Sequence, residues 1–235
     1  MSSRMYSRHL ALALCAIIAL TGSVALAQEA QTVAPGKTQM APAAEWVRLA
    51  YNNIGYAIVG YRTANNSVGQ EWLMLEVGLT VPNGIRVQVL QRDAFSISTP
   101  DNTMIPMASQ KEFQDDRGAL RALDARASLE RDSINYFPPV ANTACRIGFF
   151  TDASQQGRGL AYDQVELSFN RACVGRLYFK VPGNIQVGQH TLNVRFYDGM
   201  LRVPFKIMTT AEMKEMKKKY KAMEKEAKKK KKEEG

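Results

Sequence analysis

The stretch TLNVRFYDGMLRVPFKI, Thr191 to Ile207, decides the fold class. Leu192, Val194 and Phe196 alternate with Asn193 and Arg195, and Leu201, Val203 and Phe205 alternate with Arg202 and Lys206. A period of two marks a half-buried β-strand, because successive side chains point to opposite faces. Asp198-Gly199, a favoured tight-turn dipeptide, stands between the two runs, so the segment predicts an antiparallel hairpin. Pro204 cannot donate to a ladder, which predicts that the second strand is an edge or carries a bulge.

Upstream, the same signals recur. Tyr56–Tyr61, Trp72–Val81, Ile85–Val89, Phe95–Ile97, Met104-Ile105, Val165–Phe169 and Val174–Val181 are short β-rich runs separated by turn residues such as Asn65-Asn66, Pro82-Asn83-Gly84 and Pro100-Asp101-Asn102. In Trp72–Val81 the apolar residues on both sides of Glu76 mark a largely buried strand. The period changes between residues 110 and 131, where Ala119, Leu120, Ala122, Leu123, Ala127 and Leu129 are interleaved with charges and β-branched residues are missing. That predicts a helical insert, as one helix or as two broken at Gly118. Residues 28–44, rich in Ala, Pro, Gln and Thr, suit a flexible linker, with order expected from about Trp46.

About eight or nine short strands with one helical insert predict a mainly β protein, an antiparallel β-sandwich over residues 45–210. Parallel α/β is the weaker alternative, since helices do not recur between strands. The strand near Trp72, the stretch Asp93–Ile97, the loop Tyr136-Phe137-Pro138-Pro139 and Gly175–Pro182 together resemble exported bacterial immunoglobulin-like β-sandwich domains of uncharacterised function, over roughly residues 55–207. The resemblance implies that fold and a binding or scaffolding role, and it supplies no catalytic residue.

Residues 1–27 predict a secretory signal peptide: Arg4 and Arg8 precede the apolar run Leu10–Leu20, and Ala25-Leu26-Ala27 is a small-residue cleavage site. The run is shorter than the roughly 20 residues needed to cross a bilayer. Cys15 lies inside it with Leu14 before it, against lipid attachment. The expected address is exported, periplasmic or extracellular. Cys145 and Cys173 are then the only thiols left, each beside a β-like run, and export favours pairing them as a disulfide.

The chemistry in the remaining chain is sparse. His190 is the sole histidine after residue 27, so any Ser-His-Asp or Cys-His arrangement must use it, and it is expected to be an ordinary surface or strand-end residue. One histidine and two paired cysteines do not build a usual zinc site. Asp115-Asp116 is expected to serve a helix start rather than glycoside hydrolysis. Acidic loops at Asp101-Asn102 or Asp152 lack the spacing of a calcium loop, and there is no phosphate-cradling or dinucleotide fingerprint. No cofactor is expected.

Charge separates the body from the tail. The chain has 31 Lys and Arg against 22 Asp and Glu. Residues 211–235 hold eleven Lys against six Glu, whereas residues 28–210 hold 18 bases against 16 acids. A nearly neutral body argues against sequence-specific nucleic-acid binding. Thr209 and Glu212 match a capping box, and Met213, Met216, Tyr220, Met223 and Ala227 repeat every three and four residues along a basic amphipathic helix over 211–235. Lys217, Lys218 and Lys219, then Lys228, Lys229, Lys230, Lys231 and Lys232, load its other faces. With the Met and Tyr stripe they are the candidate contacts for an envelope protein, an anionic lipid surface or an acidic polymer; a solubilising tail is the competing reading. The function expected is a non-enzymatic binding or scaffolding module of the cell envelope, with an envelope hydrolase of unrecognised site as the alternative.

Overall fold

The computed structural model describes residues 38–151 and 161–233. In chain order these form β1 (Gln39–Ala44), β2 (Val47–Tyr51), β3 (Tyr56–Gly60), α1 (Arg62–Asn65), β4 (Trp72–Thr80), β5 (Gln88–Gln91), β6 (Phe95–Ser98), β7 (Met104–Pro106), α2 (Gln110–Asp115), α3 (Arg117–Leu129), β8 (Thr143–Ile147), β9 (Gln164–Leu167), β10 (Arg171–Lys180), β11 (Gly188–Phe196), β12 (Gly199–Ile207) and α4 (Thr210–Glu233). The chain is mainly β. One sheet runs β1-β2-β3-β4-β10-β8, a second β12-β11-β6-β7, and β5 pairs with β9. The expected signal peptide, and the expected linker up to residue 37, lie outside the described residues. Gln39–Ala44 differs from the linker expectation. It pairs with β2 as an edge strand whose register shifts between Pro42 and Ala44, the kind of place where a strand proline is tolerated.

All nine residues of β4 are buried. A strand alternates faces, so complete burial requires cover on both. Leu73, Leu75, Val77 and Leu79 share one core with Phe95 of β6, Leu192 of β11 and Phe205 of β12, and the Tyr61 and Phe205 rings, 5.6 Å apart, join the two large sheets. The opposite face, with Trp72, Met74, Glu76 and Gly78, lies under α2, α3 and residues 131–139. Phe113 of α2 packs edge-on against Tyr178 of β10, ring centres 5.1 Å apart, and Phe137 passes so close to Gly78 that a β-carbon there would stand 2.7 Å from Cζ. Only glycine admits that crossing. Ile134 packs with Val47 and Ile58 in a second small cluster on this face.

The insert is two helices, and the joint is Asp116 rather than Gly118. Ser109 and Glu112 close a capping box at the start of α2: Ser109 Oγ accepts from the Glu112 amide at 3.2 Å, and Glu112 Oε2 accepts from the Ser109 amide at 2.8 Å. Asp116 stands at the start of α3, as expected, while Asp115 closes α2, and the expected capping role is corrected. Asp116 makes no side-chain cap; its carboxylate accepts from Trp72 Nε1 at 3.1 Å and Lys180 Nζ at 2.7 Å, tying the helix joint to the sheet. Asp115 pairs along its own helix with Lys111 at 2.8 Å.

The hairpin that opens the sequence argument forms as β11 and β12, with its two-residue turn at Tyr197-Asp198, one residue earlier than the dipeptide suggests; Gly199, at φ 152°, begins β12. β12 is an edge strand, where Pro204 leaves no ladder bond unmade within the sheet. The strand expected from Ile85 begins only at Gln88. A second correction concerns direction: among the described residues every ladder is antiparallel except β8 with β10, which is parallel. That pairing sets Cys145 directly opposite Cys173, and the two are disulfide-bonded across 28 residues of sequence. Replacing both cysteines by alanine is expected to cost about 3 to 4 kcal/mol, the closure entropy of a loop of this length. Urea unfolding of Cys145→Ala/Cys173→Ala beside the oxidised parent measures it; coincident midpoints would show that the bond constrains nothing.

Candidate functional site

Two regions concentrate charged side chains. The first is α4. Its capping box forms as the sequence predicts: Thr209 Oγ1 accepts from the Glu212 amide at 3.2 Å, and Glu212 Oε2 accepts from the Thr209 amide at 3.0 Å. Lys206 Nζ, 2.5 Å from Glu212 Oε1, and the Thr209 amide hold the Glu212 carboxyl down to about 2. Behind the cap lies buried Asn65, at the end of α1. Its Oδ1 accepts from the Met208 amide at 2.7 Å, and its Nδ2 donates to Met213 Sδ at 2.8 Å.

Met213 and Met216 pack against the main core, and Tyr220 Oη donates to the Ala44 carbonyl at 3.1 Å. The stripe expected to face a membrane or partner is therefore turned inward over its first half. Met213, Met216 and Tyr220 cover the domain itself, because an apolar stripe beside an uncovered core edge is buried there first. Met223 is 53% exposed, beyond the reach of that edge. Lys217, Lys218 and Lys219 point to solvent, and the side chains of Lys228, Lys229, Lys230, Lys231 and Lys232 lie outside the described set. No helix among the described residues is long and apolar enough to cross a membrane.

The second region, on the helix-covered face of the six-stranded sheet, is one the sequence reading missed. Register places Arg176 opposite Glu76, and α3 lowers Asp124 onto the pair. Arg176 lies 3.2 Å from Asp124 Oδ1 and 3.7 Å from Glu76 Oε1, and donates to Ser128 Oγ at 3.2 Å. Tyr178 Oη donates to Asp124 Oδ1, and Arg131 approaches Glu76 Oε1 at 3.5 Å. Glu76 is 7% and Asp124 2% exposed. Burial raises the Glu76 carboxyl against the pull of Arg176 and Arg131, and burial followed by the Asp124 charge raises the Tyr178 phenol well above its ordinary range. A glutamate alone in a nine-residue buried strand was the available signal, since such a charge has to be paired.

The cluster floors a cleft of about 370 Å³. A second cleft, about 860 Å³, adjoins it through Arg131, Ile134 and Val174. Both carboxylates of the first cleft are bridged by Arg176, so the arrangement is a fixed charge network fastening α3 to β4 and β10.

His190 stands near the start of β11, as expected, but the surface reading is corrected: it is buried, 1% exposed. Its ring stacks on Phe205 at 5.6 Å, and Nδ1 donates to the Gly188 carbonyl at 3.2 Å, which leaves Nε2 as a buried acceptor without a partner. Burial lowers its pKa below 6.5, outweighing the Gly188 carbonyl and the Asp101 carboxylate. No protein-family model, curated protein or solved structure matches this chain.

Two tests follow from this geometry. Asp124→Ala leaves Arg176 and Tyr178 Oη without their shared acceptor and is expected to cost about 3 kcal/mol, whereas Tyr178→Phe removes one hydrogen bond and costs about 1 kcal/mol. Urea midpoints rank them, and equal losses would contradict the network.

For His190 the folded chain binds fewer protons than the unfolded chain between its lowered pKa and 6.5. Its contribution is therefore complete above 6.5 and is lost as pH falls from there toward the lowered value. His190→Leu should flatten stability against pH in that window, as thermal unfolding at half-unit steps would record. An unchanged slope would mean that the imidazole does not titrate there.

Proposed function

We propose that the chain is an exported, non-enzymatic binding or scaffolding module of the cell envelope, built on an immunoglobulin-like sandwich, whose lysine helix holds it against an anionic membrane surface. The observation that carries this reading is the anchoring of α4. Asn65, Met213, Met216 and Tyr220 fasten its first three turns to the domain, so Lys217, Lys218, Lys219 and Lys221 are displayed from a fixed support rather than from a frayed end. A paired Cys145 and Cys173 favours an oxidising compartment. The apolar-then-small pattern of residues 1–27 favours export.

Lysine, a compact hydrated charge, suits diffuse attraction better than geometry-specific recognition. Because the Met and Tyr stripe is occupied by the domain as far as Tyr220, leaving Met223 exposed, attachment through α4 is mainly electrostatic, with little apolar insertion to resist salt. Each lysine near an anionic bilayer contributes about 1 kcal/mol, and the attraction is screened over roughly 8 Å at physiological ionic strength. A hydrolytic reading finds no support in His190, whose buried ring stacks on Phe205 and whose Nδ1 is bound to the Gly188 carbonyl.

The variant Lys217→Gln/Lys218→Gln/Lys219→Gln/Lys221→Gln keeps the buried stripe and the cap, unlike truncation. Co-sedimentation with vesicles containing phosphatidylglycerol, over a salt series, should show weaker binding and a shallower salt dependence than the parent. Binding and slope unchanged by the four substitutions would overturn the role of the helix; retention on an acidic polysaccharide without binding to vesicles would overturn the membrane as its target.

A further inference from the structure

We propose that the outer edge of β8, with the groove beside it, is a docking site for an extended segment of a partner protein that presents an acidic side chain flanked by apolar ones. Three independent features converge there. First, β8 ends the six-stranded sheet, and among the described residues its only ladder partner is β10. Its far side therefore offers backbone donors and acceptors to an added strand, and Thr143, Ala144 and Arg146 are exposed along it.

Second, the groove is already shaped. Its floor is Ala144, Ala172 and Val174, small or slim residues on one face of β8 and β10, and its wall is Ile134, Phe137 and Pro138. The wall is held in place: Ile134 is buried with Val47 and Ile58, Phe137 crosses Gly78, and Tyr56 Oη donates to the Tyr136 carbonyl at 2.5 Å. Its volume of about 860 Å³ has room for the alternate side chains of a five-residue strand, about 17 Å long.

Third, the charge around it is unbalanced. Asp132, the acid lining the groove, is committed to Arg62 at 2.6 Å. Arg131, where the two clefts meet, is 59% exposed and only 3.5 Å from an already shared Glu76 oxygen. Arg146 projects from β8 into the smaller cleft that adjoins the groove, with no ion pair among the described residues. An acidic residue across from Arg146 is attracted by both guanidinium groups, whereas a second copy of this chain would bring its own Arg146 to the same edge and be repelled. The competing role for Arg146 is that of a charge guarding an edge strand against aggregation.

The test uses the full mature chain and two capped peptides, Val-Thr-Glu-Thr-Val and Val-Thr-Lys-Thr-Val, followed by amide NMR titration. The glutamate peptide should shift the Thr143–Ile147 amides, with Kd about fivefold lower than that of the lysine peptide, the upper end of what one cross-strand charge pair supplies. Arg146→Glu, a change at an exposed side chain, should reverse the preference while the Tyr178 and His190 amides stay in place, showing that the fold is kept. Equal affinities, no reversal, or no shift on β8 would overturn the proposal and leave Arg146 as an edge guard. The site is remote in sequence from the lysine helix, and the four glutamine substitutions in α4 should leave peptide binding unaltered, so the two proposals fail separately.

Discussion

The rest of the structure depends on the burial of β4 on both faces. A strand with one wet face needs a single partner layer; this one has the four-stranded sheet beneath it and α2, α3 and residues 131–139 above it. On the helix-covered face a fully buried Met74 contributes about 2 kcal/mol, and that stabilisation depends on the second cover. It also dictates chemistry. Glu76, carried into that layer by the strand, has to meet Arg176, and Arg176 in turn has to meet Asp124 once α3 closes over it. One buried acid thus recruits a cation from the neighbouring strand and a second acid from the helix, and the network fixes where α3 sits.

That cover is incomplete toward β8, and the incompleteness generates the grooves. α3 ends at Leu129 and the chain continues as an extended segment whose Ile134 and Phe137 reach the sheet at β2, β3 and β4. The face of β8 and the end of β10 are left with Ala144, Ala172 and Val174 under open space. The inner face of the same two strands is instead secured by the bond between Cys145 and Cys173. A covalent link stabilises without bulky cover, chiefly by restricting the unfolded chain, so it suits an edge whose outer side is kept accessible.

Much of the fold was legible because it is local. A β-rich run placed β10, alternation placed β11 and β12, Pro204 pointed to an edge or a bulge, the two thiols declared their bond, and Thr209 with Glu212 announced the start of α4. What was not legible depends on which strand lies beside which. The parallel β8 and β10 pair, the opposition of Arg176 to Glu76, and the pairing of Gln39–Ala44 with β2 all follow from register, which periodicity does not encode. His190 failed for a related reason: its flanking Gln189 and Thr191 look like a solvated strand end, but the alternation of β11 puts position 190 on the core face with Leu192 and Val194 one step further along.

The tail shows how a correct local reading can carry a wrong assignment of what a surface faces. Met213, Met216, Tyr220 and Met223 do form one helical stripe, and nothing in the spacing says whether it meets a membrane, a partner or the parent domain. Thr209 follows β12 after a single residue, Met208, so the first turns of α4 start beside the core they extend, and an intramolecular contact there needs no loss of translational freedom, unlike association. The domain's own edge therefore takes the stripe before any external surface can. With the apolar face committed as far as Tyr220, what the helix still presents to the outside is mostly charged, with Met223 the exposed remainder of the stripe, and the two cationic surfaces differ in kind: a fixed row of ammonium groups suited to a diffuse anionic field, and on β8 a single guanidinium beside a backbone edge, suited to one carboxylate at a defined register.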